Sequence, residues 1–234
     1  MLRINRKNFI ISADDFGKSE LANRNILKLA KAGKLDRVSV MADGNFNQKE
    51  VTDILDTDTK LDVHLHLHNR LENMEKIKES FVRRIIIFLS NYLFGIFSRK
   101  KVEREWEQQI REFTKIMGRI PDGINAHRYD HLFPIYFPIV LKLAKKNGIR
   151  RIRFGKILSA SKNSLVSGIL KYFWRVNKER FNNSGLVSFK YLVNLDWIRD
   201  QKEFPKSHPD GKTELVTHPE RLEEYNFLLN IPSP

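Results

Sequence analysis

The chain has 234 residues, of which 41% are hydrophobic and 30% charged, a composition typical of one globular domain. We therefore expect a single domain over residues 1–234. No cysteine is present, which excludes disulfides and thiolate metal sites and leaves histidine, carboxylate and water as metal ligands. Residues 1–7 run into a strand-like segment without the apolar stretch of a secretory signal, so we expect a cytoplasmic protein. The net charge of +14 favours phosphates, nucleic acid or an anionic membrane as partners.

Strand-like and helix-like segments alternate along the chain. The predicted strands are residues 8–13, 37–41, 61–67, 123–126 and 151–154, and the predicted helices are 19–31, 101–117 and 135–146. Such alternation indicates βα units with parallel strands. Parallel barrels and open sheets both carry their sites at the carboxyl ends of the strands, so we look for chemistry there.

Two adjacent carboxylates, Asp14 and Asp15, follow the first predicted strand and precede Phe16 and Gly17. Such pairs often cap helices or lie solvated in turns. Here, however, the pair is expected in the loop that leads from a strand to the helix starting at Ser19. That position is one where a parallel α/β protein places functional groups.

The seven histidines cluster in the sequence. His64, His66 and His68 alternate with apolar residues, which predicts three imidazoles on one face of a strand. His127 follows the short predicted strand 123–126.

Asp15, His64 and His127 are therefore predicted to meet at the strand ends. One carboxylate and two imidazoles leave coordination positions open, as in a catalytic divalent metal site. Asp14 is predicted to accept a proton from water. His66, His68 and His131 are predicted to support the site or to be solvated.

Two segments interrupt the pattern and leave alternatives open. An apolar insertion at about residues 81–100 fits an interfacial anchor on an anionic membrane, a lid over an apolar substrate tail, or a core or homodimer helix. Residues 165–191 interleave aromatic and basic side chains. That pattern fits a clamp for a sugar phosphate or single-stranded nucleic acid, or a core helix with cations at its surface.

Several motifs, in order, resemble the YdjC-like carbohydrate deacetylases, which include chitooligosaccharide and hopanoid-associated deacetylases. They are Ala13-Asp14-Asp15-Phe16-Gly17 with Asn23, Ser39 before Met41, Val63-His64-Leu65, Asn125-Ala126-His127, Ile152-Arg153, and Glu214-Leu215-Val216-Thr217-His218-Pro219. The chain departs from the family pattern at Asn125, where an aspartate is common, and at Glu220, where a glycine is usual. The Asn-Ala-His version is nearest the hopanoid-associated branch.

The resemblance implies an α/β fold, a distorted (β/α) TIM-like barrel, and a divalent metal, magnesium or zinc. It implies that Asp15, His64 and His127 are the metal ligands and that Asp14 is the general base. His218 resembles the histidine near the scissile amide and is a candidate general acid, and Arg153 matches a family arginine that orients the base or binds substrate.

The sequence thus predicts a metal-dependent hydrolase that removes an N-acetyl group from an amino sugar, either lipid-linked or phosphorylated. We expect a cytoplasmic protein, with peripheral contact at the inner membrane face and a homodimer as further expectations. Two alternatives stay open. One is a barrel metallohydrolase acting on a phosphoester or a cyclic amide, and the other is an inactive protein that binds nucleic acid or membrane through its basic surface.

Overall fold

A curled sheet of seven parallel strands forms the centre of the computed structural model, which describes residues 7–67, 98–158, 165–198 and 210–231. The strands are β1 Phe9–Phe16, β2 Arg37–Val40, β3 Lys60–Leu65, β4 Gly123–Ala126, β5 Lys156–Ile157, β6 Tyr191–Asn194 and β7 Thr213–Thr217. Their spatial order is β4-β3-β2-β1-β7-β6-β5. The helices are α1 Glu20–Lys31, α2 Gln48–Leu55, α3 Arg99–Met117, α4 Phe137–Lys146, α5 Leu165–Asn182 and α6 Leu222–Asn230, with short 3-10 helices at His127–Leu132 and Leu195–Trp197.

Residues 150–154 bring the curled sheet close to a closed barrel. Ile152 bridges Ile124 of β4, and Arg151 bridges Val187 ahead of β6. The fold is thus the α/β fold expected, a half-barrel consistent with a distorted TIM-like barrel. The prediction of a regular strand at 151–154 was wrong, because this segment crosses between two neighbours and pairs with each at a single position.

The helices cover the outside of the sheet with apolar side chains. Ser19 caps α1 by accepting a hydrogen bond from the Ala22 N–H at 3.1 Å, which satisfies one of the free N–H groups at a helix start. Trp106 and Phe113 of α3 are fully buried in the core. Burial of side chains of this size is the main stabilising term of such a fold.

Helix α5 carries most of the aromatic residues of the basic segment 165–191. The Phe173 ring packs 4.9 Å from Phe133, and the Phe181 ring packs 4.6 Å from Phe154, measured between centroids. Lys178 lies 5.5 Å from the centre of the Trp174 ring. Phe173, Trp174 and Phe181 therefore pack against the core, while Tyr172 is exposed, a pattern that fits a core helix whose cations lie at the surface.

Most of the predicted apolar insertion at 81–100 lies outside the described residues, which resume at Ser98, and α3 begins at Arg99. His68 lies outside them as well. Among the helices of the described residues, none has the length and hydropathy needed to cross a bilayer.

Polar side chains that point into the barrel form two tiers, because alternate residues of a strand face the same side. The lower tier consists of Ser12, Arg37, Asp62, Gly123, Arg151 and Glu214, and the upper tier of Asp14, Ser39, His64, Asn125 and Arg153. Gly123 is required in the lower tier, since a Cβ there would lie 2.5 Å from Asp62 Oδ1. The upper tier lies nearer the carboxyl ends of the strands, so the interior leads towards the predicted site.

Candidate active site

A β-bulge in β1 gives the two adjacent carboxylates their positions. The pairing of β1 with β2 shifts register between Ala13 and Phe16, and Asp15 has a left-handed φ of 73°. In a regular strand, successive side chains point to opposite faces, and a bulge re-aims them. The prediction of a turn after residue 13 was wrong in this detail, because β1 continues through the pair to Phe16.

Asp15, His64 and His127 come together as predicted. One ligand atom from each lies within 4.8 Å of the others. Asp15 Oδ1 is 3.3 Å from His64 Nε2 and 3.2 Å from His127 Nδ1. Asp15 and His64 are buried, while the side chain of His127 keeps 16% of its surface exposed. The cluster is therefore held by the protein and open on the His127 side.

The protein fixes the orientation of His64 through Asn125. The two residues are paired in register across β3 and β4, and His64 Nδ1 contacts Asn125 Oδ1. Because an amide oxygen only accepts hydrogen bonds, Nδ1 carries the proton and donates it to Asn125. The lone pair of Nε2 then points at the cluster, as in a histidine that binds metal through one nitrogen and is oriented through the other.

The donor set fits a divalent metal ion. His64 Nε2 is buried and makes no hydrogen bond of good geometry, although Asp15 Oδ1 lies near it. Burial would lower the pKa of His64, but the charge of Asp14 and the contact with Asp15 raise it, so positive charge is favoured at this point. A cation bound by Nε2 would place positive charge where it is favoured and would give this unpaired nitrogen a partner.

A strained turn positions His127. Arg128 and Tyr129, the next two residues, both adopt left-handed backbone conformations, with φ of 57° and 60°. Such conformations are uncommon for residues other than glycine and cost energy that the surrounding structure must supply. The turn redirects the chain directly after β4, so the His127 side chain stays at the strand end. Burial lowers the pKa of His127 more than its bond to Asp15 raises it.

Asp14 is held by Arg153 and Ser39. Arg153 Nη1 donates to Asp14 Oδ2 at 2.7 Å and Nη2 donates to Oδ1 at 2.8 Å, while Ser39 Oγ donates to Oδ1 at 2.6 Å. Burial alone would raise the pKa of Asp14, but Arg153 and His64 hold it well below its usual range. Asp14 is therefore ionised at neutral pH. The predicted contact of Arg153 with the base candidate is present.

Beneath Asp14, the charges continue into the lower tier. The chain of contacts alternates in sign through Asp14, Arg153, Glu214, Arg151, Asp62 and Arg37. Arg153 Nε donates to Glu214 Oε1 at 2.9 Å, and Arg151 Nη1 donates to Asp62 Oδ2 at 2.8 Å. All six residues are buried. Three arginines thus balance three carboxylates, as buried charges require.

His218 lies at the end of β7, beside β1. Thr217 pairs with Ala13, so His218 follows at the level of Asp14 on the adjacent strand. Its backbone N–H donates to Glu224 Oε2 at 2.7 Å, and its Nδ1 is buried without a hydrogen-bond partner, 3.9 Å from the same oxygen. The structure therefore brings His218 to the same end of the barrel as the cluster.

His66 and His131 take other positions. His66 follows the last residue of β3, and its Nε2 contacts Asp43 Oδ2 at 2.9 Å. His131 Nε2 donates to the Arg153 carbonyl at 2.8 Å, and burial lowers the pKa of His131 to about 3. Neither belongs to the cluster of metal-ligating atoms found among the described residues. The prediction that His64 and His66 share one face of a strand was wrong for His66, because β3 ends at Leu65.

Sequence reasoning gave no role to Asn125, Ser39 or Glu214. Asn125 Nδ2 donates to Ser39 Oγ at 2.8 Å, so the two residues connect His64 to Asp14 by hydrogen bonds. Each residue stands in a motif noted in the sequence, but its partner lies on a different strand. Their contacts depend on how the strands are aligned with one another, which the sequence motifs do not specify.

The chain is similar to a known protein family and to several known proteins. The model of the family described as YdjC-like protein matches residues 8–228. The chain belongs to this family. A chitooligosaccharide deacetylase of Citrobacter koseri is 26% identical over 157 residues, which cover 64% of this chain and 61% of that protein. A chitooligosaccharide deacetylase of Escherichia fergusonii is 26% identical over 145 residues, covering 60% and 56%.

The matched region spans about three fifths of the length of these curated relatives. Among solved structures, a protein of Enterococcus faecalis V583 described as a cellobiose-phosphate cleavage protein superimposes with a TM-score of 0.61 at 18% identity. The match covers 90% of this chain and 80% of that one. At this identity, the likeness concerns the fold.

Proposed function

We propose that this YdjC-like protein is a metal-dependent carbohydrate N-deacetylase, which hydrolyses the acetamide of an N-acetylated amino sugar. The observation that carries the proposal is the adjacent placement of two differently held carboxylates. Asp15 faces two imidazoles within 3.3 Å, and Asp14 faces an arginine and a serine. The curated relatives named as chitooligosaccharide deacetylases support the choice of substrate class.

Asp15, His64 and His127 would hold the ion. When bound, a divalent ion supplies a Lewis acid that polarises the acetamide carbonyl and acidifies water. Zinc suits these nitrogen and carboxylate donors, and magnesium is the other candidate from the sequence.

Asp14 is the proposed general base. Its Oδ2 accepts one hydrogen bond among the described residues, from Arg153, and therefore keeps a lone pair for a proton from the attacking water. The two parallel bonds from Arg153 fix the plane of the carboxylate, so the lone pair has a defined direction. Arg153 thus orients the base, as the family resemblance implies.

His218 is the proposed general acid. An amine leaves an amide only when it is protonated, and this proton needs a donor other than the group that accepted the first one. His218 follows directly after β7, beside Asp14 on β1, and its side chain is 21% exposed. Base and acid are therefore carried by neighbouring strands at the same end of the barrel.

The finer identity of the substrate is also a proposal. The net charge of +14 favours an amino sugar that carries phosphate or is linked to a lipid. The Asn125-Ala126-His127 motif, which resembles the hopanoid-associated branch, suggests a hopanoid as that lipid. Cytoplasmic location, peripheral membrane contact and a homodimer remain predictions. Flotation with liposomes that contain or lack anionic lipid tests the membrane part, since equal absence from both vesicle fractions would contradict it.

Acetate release from a substrate panel tests the proposed function. The panel comprises N-acetylated mono- and oligosaccharides, their phosphorylated forms and acetylated glycolipids, each with added Zn²⁺ or Mg²⁺ and with a chelator. The proposal predicts stoichiometric acetate and free amine, lost on chelation. Phosphate release from phosphoesters in the same panel, without acetate, would favour the other metallohydrolase.

A further inference from the structure

Lys18 and Glu220 form an ion pair at the mouth of the candidate metal site. Lys18 follows the bulged end of β1, and Glu220 lies in the loop between β7 and α6. Lys18 Nζ is 2.9 Å from Glu220 Oε2. Ser19 Oγ donates to Glu220 Oε1 at 2.7 Å, so both carboxylate oxygens of Glu220 are bound to the loop that follows Asp15.

The same lysine reaches a metal-ligand candidate. Lys18 Nζ lies 3.4 Å from Asp15 Oδ2, while Asp15 Oδ1 faces the two histidines. Asp15 therefore presents one oxygen to the cluster and the other to Lys18. The Lys18 ammonium thus lies within 3.4 Å of two carboxylates, which stabilise its positive charge.

These charges act on a cation in opposite directions. A cation bound by Asp15 is repelled by Lys18, because both carry positive charge next to the same carboxylate. Glu220 reduces that repulsion by binding the lysine from the loop between β7 and α6. With Glu220, the local sum over Asp15, Lys18 and Glu220 is negative, and without the charge of Glu220 it is neutral. The side chains of Lys18 and Glu220 are 29% and 31% exposed, so solvent moderates the effect without removing it.

We propose that Glu220 is a positioning residue that sets metal affinity by binding the Lys18 ammonium, at 2.9 Å, more closely than Asp15 does at 3.4 Å. The inference rests on the proposed metal site. Glu220 stands where the family resemblance expects glycine, a residue that has no side chain to hold Lys18. In this chain, Lys18 thus lies beside the proposed metal ligand Asp15, and Glu220 reduces the loss of metal affinity that the charge of Lys18 would cause.

Titration of the metal-free protein with Zn²⁺ by calorimetry tests the proposal. We expect Lys18→Met to tighten Zn²⁺ binding about tenfold and Glu220→Gln to weaken it about tenfold. Each change alters one unit of charge near a divalent ion, and solvent reduces the size of that interaction. Glutamine keeps the shape of Glu220 and an acceptor oxygen, so the change isolates the charge. In the Lys18→Met background, Glu220→Gln is expected to change the affinity less than twofold, a coupling that a purely structural role would not produce.

The matched control is Lys142→Met and Glu103→Gln, an exposed ion pair between α4 and α3 whose atoms lie 2.5 Å apart. Neither change is expected to alter Zn²⁺ affinity. Unchanged affinity in Lys18→Met, or an equal effect of Glu220→Gln in both backgrounds, would overturn the inference. No ion binding by the wild type would overturn the metal site together with it.

The readout separates this inference from the proposed function. Acetate release without the affinity changes leaves deacetylation standing and removes the role of Glu220. The affinity changes without acetate release from any substrate support the role of Glu220 and remove the proposed reaction.

Discussion

The lower tier of the barrel and the candidate metal cluster above it are both buried sets of polar groups, but their groups are paired in different ways. In the lower tier, Asp62 is bound by two arginines, and Glu214 by two arginines and Ser12. In the cluster, His64 Nε2 is buried and lacks a partner of good geometry. Arg151 Nε in the lower tier is also buried without a hydrogen-bond partner, but this nitrogen is a donor only. The lone pair of His64 Nε2 instead fits the proposed cation, while the carboxylate–arginine pairs of the lower tier fit a supporting role.

Asp14 and Asp15 belong to these two regions although they are adjacent in sequence. Asp14 ends the chain of alternating charges, and Asp15 joins the histidines. The bulge in β1 divides them. The predictions below test whether this division holds.

The largest effect is expected from Asp15→Asn. Asparagine tolerates the left-handed backbone at this position, so the change removes the charge without adding strain. We expect Zn²⁺ affinity to fall at least about 100-fold and acetate release to be lost, because an anionic ligand has become neutral. Calorimetric titration and an acetate assay measure the two losses, and full activity would contradict the role of Asp15.

Asp14→Asn is expected to separate metal binding from turnover. The variant should bind Zn²⁺ within about threefold of the wild type and lose about 10²- to 10⁴-fold in kcat, the usual contribution of a general base. Steady-state kinetics with saturating metal measure the loss. If the variant instead loses the ion, Asp14 belongs to the cluster and the comparison fails.

Glu214→Gln tests the charge balance of the lower tier. The change leaves buried arginines short of one negative charge, which we expect to lower the free energy of unfolding by about 3–5 kcal/mol. Urea denaturation measures it. Glu103→Gln removes a partly exposed carboxylate from an ion pair with Lys142 and is expected to cost less than about 1 kcal/mol. Equal effects of the two changes would show that the lower tier carries no special stability.

His131 predicts a dependence of stability on pH. Burial lowers its pKa from 6.5 to about 3 in the folded protein. Between those values the unfolded chain binds a proton that the folded chain does not, so stability falls as pH falls, by at most about 1.4 kcal/mol per pH unit from this residue.

The variant His131→Gln isolates this contribution, because glutamine retains an N–H for the Arg153 carbonyl. Between pH 6 and pH 4.5, we expect the free energy of unfolding of the variant to fall less steeply with decreasing pH than that of the wild type, by at most about 1.4 kcal/mol per pH unit. Identical slopes in wild type and variant would contradict burial of a neutral imidazole.

The smallest effect is expected from His66→Gln. His66 Nε2 is 2.9 Å from Asp43 Oδ2 and lies outside the cluster. Zn²⁺ affinity should therefore change by less than about threefold, within the range of indirect effects on a metal site. A loss comparable to that of Asp15→Asn would place His66 among the ligands.

Much of this arrangement could be predicted from sequence periodicity and motifs. The alternation of strands and helices predicted the parallel sheet, and the ordered motifs predicted that Asp15, His64 and His127 would meet. The metal itself, the base and the acid remain predictions. Local patterns were informative here because each predicted ligand lies at or just beyond a strand end.

What the sequence could not provide was the pairing between distant strands. The bulge at Asp15 depends on the register of β1 against β2, and the contact of His64 with Asn125 depends on that of β3 against β4. The segment 151–154 also has strand-like residues but meets each neighbour only once. Contacts of this kind are set by tertiary packing, which local propensity does not encode.

The central claim is that Asp15 binds the metal ion while the adjacent Asp14 does not bind it and accepts a proton. The most direct test is the number of ions bound per chain. Elemental analysis after equilibration with Zn²⁺ and desalting compares wild type, Asp14→Asn and Asp15→Asn. We predict that Asp14→Asn retains the ion content of the wild type and that Asp15→Asn retains none. Equal ion content in the two variants would contradict the division between Asp14 and Asp15.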